Sequence, residues 1–544
     1  MPIAEAANEF SVAEVHEAIA ATRPEQECLV FRDQRFTWAD VTNRTRRLAN
    51  HLIAQGLGCH VERDQLAGHE SGQDHLAIYL HNGNEYLESM LGAFKARVAP
   101  FNVNFRYVAE ELHYLFTDAN AAAVVVHSQF APTLAEVLPD LPNLRVILQV
   151  PDHSGHALLP GAVWYEDALA AASADKPTVT CSPDDLYILY TGGTTGMPKG
   201  VLWRNGDANV SCFGGSVADT MEGVLADATG SLKALLAPPF MHGAGHWMSF
   251  RTWNTGGTIF VQSVPDRLDP VDIWSLIQRE QLNFLLIVGD AFARPLLDEL
   301  ERGHYDLSSL TVLLSGGAPL SANLKDEFLQ HLPTLMIVDG LGSSEAGGQL
   351  SQVSVGGGAT TGTFPISPGN HVLSDNLEHE LAPGDDELGW LAKSGRLALG
   401  YLGDEAKTSR TYPVVDGVRY AVPGDRARLR SDGIIELHGR DSVTINSGGE
   451  KIFAEEVEAA VKRHPGVYDC VVAGRPSERW GNEVIAIVRV RTGHALDKSQ
   501  LLTEAAKHVA RFKLPKAFVF VDEIVRSPSG KADYRWAKQV AADA

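Results

Sequence analysis

Apolar residues along this chain recur at two spacings, and the switches between them mark out its elements. Val41, Leu48 and Leu52 fall at helical spacing behind Thr37 and Asp40. That Thr-x-x-Asp start lets each side chain satisfy the other residue's backbone N–H, so the pattern predicts an amphipathic helix, with Gly56 as its stop. His75 to Leu80 is a short, mostly apolar run and predicts a buried strand; Glu85 to Ala96 predicts the helix that follows. Leu186 to Tyr190 and Leu310 to Leu314 predict further core strands. Strands alternating with helices imply a parallel sheet. Glycine-containing polar stretches at Asp64–Asp74 and Val353–Thr363 predict surface loops, and the lack of a fixed-period repeat argues against a solenoid or propeller.

Near Arg440 the elements become shorter. Glu455 to His464 predicts a helix with acids at its start and Lys462, Arg463 and His464 at its end, which suits the helix dipole; Pro465 and Gly466 then stop it. Val467–Ala473 and Val484–Val490 predict strands. The expected fold class is α/β: a large multi-subdomain N-terminal domain, residues 1–440, followed by a small α+β domain, residues 441–544. The length of 544 residues requires such a division, because single cores stop growing near ~250–300 residues.

Composition narrows the function classes. With 44% apolar and 21% charged residues, the chain has the balance of a globular protein. Its net charge of -22 opposes general binding to nucleic acid or to an anionic membrane, so any anionic ligand needs cations placed locally. Cys28, Cys59, Cys181, Cys212 and Cys470 lack CxxC spacing, which gives no support to a zinc site or disulfide scaffold. Met1 to Phe10 does not read as a secretory signal, no apolar run reaches about 18 residues, and Val540 to Ala544 is not a peroxisomal address. A cytoplasmic enzyme is the expectation.

The strongest chemical signal is Tyr190-Thr191-Gly192-Gly193-Thr194-Thr195-Gly196-Met197-Pro198-Lys199-Gly200. Glycines let backbone N–H groups approach phosphate oxygens, threonine hydroxyls add donors, and Lys199 brings a compact positive charge. The spacing is not that of a Walker A loop.

This residue order resembles the superfamily of adenylate-forming enzymes, which includes acyl-CoA and aryl-CoA synthetases, luciferases and peptide-synthetase adenylation domains. The resemblance extends over nearly the whole chain. Ser315-Gly316-Gly317-Ala318-Pro319 looks like the family's adenine-side loop. Gly342-Ser343-Ser344-Glu345 resembles the Gly-x-Thr-Glu motif, whose hydroxyl contacts phosphate and whose glutamate helps to hold Mg2+. Leu341 stands where many relatives carry an aromatic residue beside adenine. Pro423-Gly424-Asp425 resembles the motif that binds both ribose hydroxyls, and Gly439-Arg440 the arginine motif near the nucleotide.

In relatives the small C-terminal domain rotates between the two half-reactions about an Asp or Lys two positions after that arginine; here the residue is Ser442, beside Asp441. Ser447-Gly448-Gly449-Glu450-Lys451 resembles the loop lining the pantetheine tunnel, and Ser527-Pro528-Ser529-Gly530-Lys531 the terminal catalytic-lysine motif. Pro239-Phe240-Met241-His242-Gly243 resembles the boundary of the acyl pocket, with Met241 in place of a more usual aromatic residue. His242 reads equally as a satisfied core histidine or as a gate beside the carboxylate. Trp247 and Gly289-Asp290-Ala291-Phe292 are further pocket candidates.

The resemblance implies a ligase that uses ATP and Mg2+ to form an acyl-adenylate from a hydrophobic carboxylic acid and then passes the acyl group to coenzyme A. It implies catalytic roles for Lys531, Glu345, His242 and Lys199, with Glu345 also the metal ligand. Val201-Leu202-Trp203-Arg204, Asn102 to Tyr107 and Asp533 to Trp536 look like bacterial synthetases that activate steroid side-chain acids. A medium- or long-chain fatty acid is the close rival. An enzyme loading a separate carrier protein, a luciferase-like oxygenase, a kinase and a nucleotide-regulated binding protein are the more distant ones.

Overall fold

The computed structural model describes residues 9–191, 197–447, 450–477, 480–527 and 530–544. Two eight-stranded sheets dominate the N-terminal domain, and most of their inner strands are parallel, Lys199–Arg204 running antiparallel to its neighbours. One runs in the order Gly347–Ser354, Met336–Ser343, Val312–Gly316, Phe284–Ile287, Lys233–Leu236, Thr258–Val261, Glu27–Phe31, Gln34–Thr37. The other has Leu186–Thr191, Ala99–Asn102, His75–Tyr79 and Ala121–His127 at its centre.

Helices Val12–Thr22, Trp38–Ala54, Asn84–Lys95 and Gly243–Asn254 share one core with the facing sides of both sheets. Other helices cover the outer faces, among them Pro270–Glu280, Gly289–Leu300 and Ala322–His331 on the first sheet and Ala109–Asp118 on the second. A five-stranded antiparallel sheet, which includes Asp425–Leu429 and Ile434–Arg440, links this body to the C-terminal domain. There the hairpin Val467–Ser477/Gly481–Val490 carries helices Ala454–Lys462 and Lys498–Ala505 on one face and Tyr534–Ala542 on the other. Among the described residues no helix is long and apolar enough to cross a membrane.

Local chemistry explains most boundaries. Thr37 and Asp40 form the expected reciprocal cap on helix Trp38–Ala54, and Gly56 follows with φ +77°. The strand expected at Leu310–Leu314 instead occupies Val312–Gly316, because Leu310 closes a turn onto Leu307 and Thr311 bonds across to Asn283 before the ladder begins. The C-terminal hairpin outruns its apolar stretches. Pairing continues through Arg475, Pro476 and Ser477, where backbone bonds need no apolar face. All five cysteines are free thiols.

Helix Asn84–Lys95 packs on Trp38–Ala54 through Gly92, where an added Cβ would lie 2.7 Å from Leu48 Cδ2 and 3.0 Å from Leu48 Cβ. A glycine inside a helix costs up to ~1 kcal/mol relative to alanine, so the close approach of the two helices is what favours it here. Gly92→Val should therefore destabilise the protein by about 1–3 kcal/mol, through overpacking of this contact. Thermal unfolding measures this; an unchanged or raised midpoint would contradict the packing account.

Candidate active site

The candidate residues gather where parallel strands end, the place where open α/β sheets bind ligands. Val312–Gly316 and Met336–Ser343 run parallel, with Ser315 opposite Asp339 and Gly316 opposite Gly340. Past the first strand, Gly317 turns with φ +89°, and Ala318 and Pro319 lead toward helix Ala322–His331. Past the second, Ser343 and Ser344 enter a tight return to Gly347–Ser354. Gly342 is required there, since a Cβ would lie 2.6 Å from the Gly347 carbonyl oxygen. Leu341 packs against the core of the five-stranded sheet.

Glu345 follows this return. Tyr401 donates to its Oε1 at 2.7 Å, and Tyr412 donates to its backbone oxygen at 3.3 Å. Among the described residues no group of three or more His, Cys, Asp or Glu could cage a metal. A lone carboxylate with one oxygen left uncommitted suits Mg2+ that arrives on phosphates and keeps most of its water, rather than a resident ion.

Asp425 and Arg440 face each other across paired strands, with Arg440 Nε donating to Asp425 Oδ1 at 3.3 Å. Asp425 is buried, and its charge, opposed by burial and helped by Glu345, holds Arg440 above the ordinary guanidinium range. Lys199 begins the strand that returns from the glycine-rich segment, opposite Thr191. Its Nζ lies 3.6 Å from Asp118, which also accepts from Tyr190 at 2.8 Å. Gly192, Gly193, Thr194, Thr195 and Gly196 lie outside the described residues, as do Gly448 and Gly449, although Ser447 and Glu450 on either side pair as a hairpin. Arg440 ends its strand at the Asp441–Val443 turn, where the pivot was expected.

Lys531 enters the same space from the C-terminal domain. A Cβ on Gly317 would lie 3.8 Å from Lys531 Cε, and the amine is within electrostatic reach of Arg440, Glu345, Asp425 and His242. The residue as a whole is exposed, while protein atoms crowd its amine. Loss of hydration, then Arg440, pushes its pKa down to about 8 against the pull of Glu345 and Asp425. An anionic ligand would reverse that shift.

His242 precedes helix Gly243–Asn254, and its Nε2 is buried with no hydrogen-bond partner. Burial, followed by Lys531, His246 and Arg106, lowers its pKa to about 3, so the ring is neutral. That nitrogen lacks the partner that a satisfied core histidine would have. Two asparagines hold this segment: Asn82 lies in no motif, and Asn102 stood out only as the start of a phrase shared with steroid-acid synthetases. Asn82 bonds the Pro238 oxygen and the Phe240 N–H, and Asn102 bonds the Met241 and Tyr190 oxygens. Tyr401 and Lys407, whose Nζ sits 3.8 Å over the Tyr401 ring, also carried no motif. Trp247 donates to Tyr187 at 2.9 Å. Asp290 is committed elsewhere, to Ser321 and Lys462.

Comparison with known proteins identifies the family. Residues 16–401 match the family described as AMP-binding enzyme, and residues 456–531 match the AMP-binding enzyme C-terminal domain. The medium-chain acyl-CoA ligase Mig of Mycobacterium avium is 53% identical over 543 residues, covering 98% of both chains. A 3-oxocholest-4-en-26-oate–CoA ligase of Rhodococcus rhodochrous is 38% identical over 549 residues, covering 97% of this chain and 95% of the relative. The fold is also that of ATP-bound MatB from Rhodopseudomonas palustris, with a TM-score of 0.81 at 24% identity over 98% of this chain and 99% of that one.

The His242 geometry sets a pH expectation. Its folded pKa lies below the ordinary 6.5, so the stability contributed by the neutral ring is complete above about pH 6.5 and is lost as pH falls toward 3. His242→Gln should lose less melting temperature than the parent between pH 7 and 5. Equal losses, or an imidazole NMR titration midpoint near 6.5, would contradict the buried, neutral assignment.

Proposed function

From the premise that this chain belongs to the AMP-binding enzyme family, we propose how its residues divide the work of an AMP-forming acid–CoA ligase. The enzyme is an acyl-CoA synthetase that acts through an acyl-adenylate. The carboxylate oxygen attacks the α-phosphorus of ATP and pyrophosphate leaves. The thiol of coenzyme A then attacks the acyl carbonyl, loses its proton, and AMP leaves.

In the proposed assignment the Thr191–Lys199 segment cradles the phosphates, Gly316 to Pro319 and Leu341 border adenine, and Asp425 takes the ribose hydroxyls beside Arg440. Glu345, oriented by Tyr401 and preceded on the same return by Ser343 and Ser344, whose hydroxyls meet the phosphates, would hold Mg2+ there. The ion offsets phosphate charge when bound. Lys531 aims its ammonium at the reacting carboxylate and α-phosphate, while His242 borders the acyl entrance. The C-terminal domain, taken as residues 441–544, then turns about Asp441–Ser442 to bring Gly448 and Gly449 to the pantetheine path. The observation that carries this reading is the convergence of Lys531 with Glu345, Asp425 and Arg440 from two separate domains.

A hydrophobic carboxylate is the proposed acid. Medium-chain fatty acids are proposed first, supported by the 53%-identical relative named as a medium-chain ligase. Steroid side-chain acids, favoured by the sequence phrases, come second on the relatives at 38–39% identity. A cytoplasmic site of action is proposed with it, with ATP and coenzyme A as co-substrates. Screening acids by coenzyme-A-dependent AMP release should give highest kcat/KM with medium-chain acids; a preference for acetate or an amino acid would overturn the proposal.

An aimed donor at developing charge is worth roughly 10²–10³ in rate. Lys531→Ala should lose about that much in single-turnover adenylation and regain near-parental thioester formation when supplied with preformed acyl-adenylate. Equal impairment of both half-reactions would rule out this division of labour.

A further inference from the structure

The C-terminal domain meets the N-terminal domain at the first turn of helix Gly289–Leu300, and the contact has two parts. Gly530, with φ +75°, lies so close that a Cβ would be 3.2 Å from the Val288 oxygen and 3.3 Å from the Phe292 ring. Beside it, Lys462 Nζ reaches across the boundary to Asp290 Oδ2 at 3.2 Å while also facing Asp469 Oδ1 at 3.3 Å. Only 13–15% of each of these three side chains is exposed, so the charges meet largely out of water. Burial opposes the Lys462 charge, but Asp290 and Asp469 outweigh it and hold the amine protonated.

The chain of contacts runs on in both directions. Asp469 is gripped by Arg526 through two bonds of 2.8 Å, and Arg526 donates to the Gly530 carbonyl at 2.9 Å, one residue before Lys531. On the other side, Asp290 accepts from the Ser321 N–H at 2.7 Å and from its hydroxyl, just past the Gly316–Pro319 loop. Among the described residues, Lys462–Asp290 is the direct ion pair of this path that joins the domains, and Arg526 also feels the Asp290 charge.

We propose that Lys462 is a positioning residue for adenylation: paired with Asp290, it docks the C-terminal domain so that Lys531 stands over the nucleotide site, and it releases that contact for thioester formation. The inference rests on the reading of Lys531 given above. Asp469 and Arg526 keep the Lys531 loop in register with Lys462 within the C-terminal domain, while Asp290 reports the position of the adenine-side loop.

The test uses the full-length enzyme with ATP, Mg2+, coenzyme A and a medium-chain fatty acid, and follows the half-reactions separately. Truncating one partner of a largely buried charge pair is costly, and Lys462→Ala should slow single-turnover adenylation about tenfold. Thioester formation from preformed acyl-adenylate should change by less than about twofold. Lys462→Arg should recover most of the adenylation rate. Should the alanine variant fold poorly, Asp290→Asn, which keeps the shape and the Ser321 contacts, should show the same split.

Because Lys462 acts through Lys531, adding Lys462→Ala to Lys531→Ala should cost less than about twofold more. A residue needed only for folding would slow both half-reactions together. Equal slowing of both, no slowing of adenylation, or multiplicative losses in the double variant would overturn the proposal. If Lys531→Ala itself leaves adenylation intact, the failure lies with the Lys531 reading and not with the latch.

Discussion

A carboxylate and ATP repel each other, and here they must meet inside a chain whose own net charge is -22. Two unit charges 4 Å apart interact by about 4 kcal/mol at an effective dielectric of 20, so cations have to be fixed at the point of reaction. Lys199, Arg440 and Lys531 are the candidates, and each is answered by a carboxylate: Asp118 for Lys199, Asp425 for Arg440, and Glu345 with Asp425 for Lys531. These partners keep the empty site from carrying a cluster of unopposed charges. They also leave it sensitive to an anion, because each cation gains when phosphate or carboxylate oxygens arrive.

Placing one of those cations on a separate domain has a further consequence. A fixed lysine at the reacting carboxylate would remain beside the acyl group when a thiol needs access, whereas a lysine on a docked domain can be withdrawn. The docking contacts among the described residues include polar pairs. Gly530 seats against Val288 and Phe292, Tyr468 donates to Asp298 at 3.4 Å, and Lys462 meets Asp290. Contacts of this kind define an orientation without the large apolar burial that would make it permanent.

Much of this was legible in the sequence because glycine, hydroxyl and charge were clustered at strand ends. The capped helix behind Thr37 and the strand before Thr191 follow from local patterns, and the motifs of Glu345, Asp425, Arg440 and Lys531 stood out through the family resemblance. What was not legible depends on residues that are ordinary in isolation. Asn82 and Asn102 matter through backbone groups far away in sequence, and Tyr401 through a single bond to Glu345. Lys462 read as a cation complementing the end of its helix, and Asp290 as a pocket candidate. Only the packing of two domains brings them together. The Val312–Gly316 strand shifted from its expected place for a similar reason, since the turn at Leu310 is set by contacts with Leu307 and Asn283.

The central claim is that the domain arrangement described here performs adenylation and must be left for thioester formation. Cysteines replacing Asp298 and Tyr468, in a background where Cys59 and Cys181 are serine, would allow a short bis-thiosulfonate reagent, which forms a reducible disulfide with each thiol and releases sulfinate, to hold that arrangement. The locked enzyme should release pyrophosphate from ATP and a medium-chain acid in one turnover but form no acyl-CoA until the linker is cleaved. Acyl-CoA formation by the locked enzyme at the unlocked rate would contradict the account.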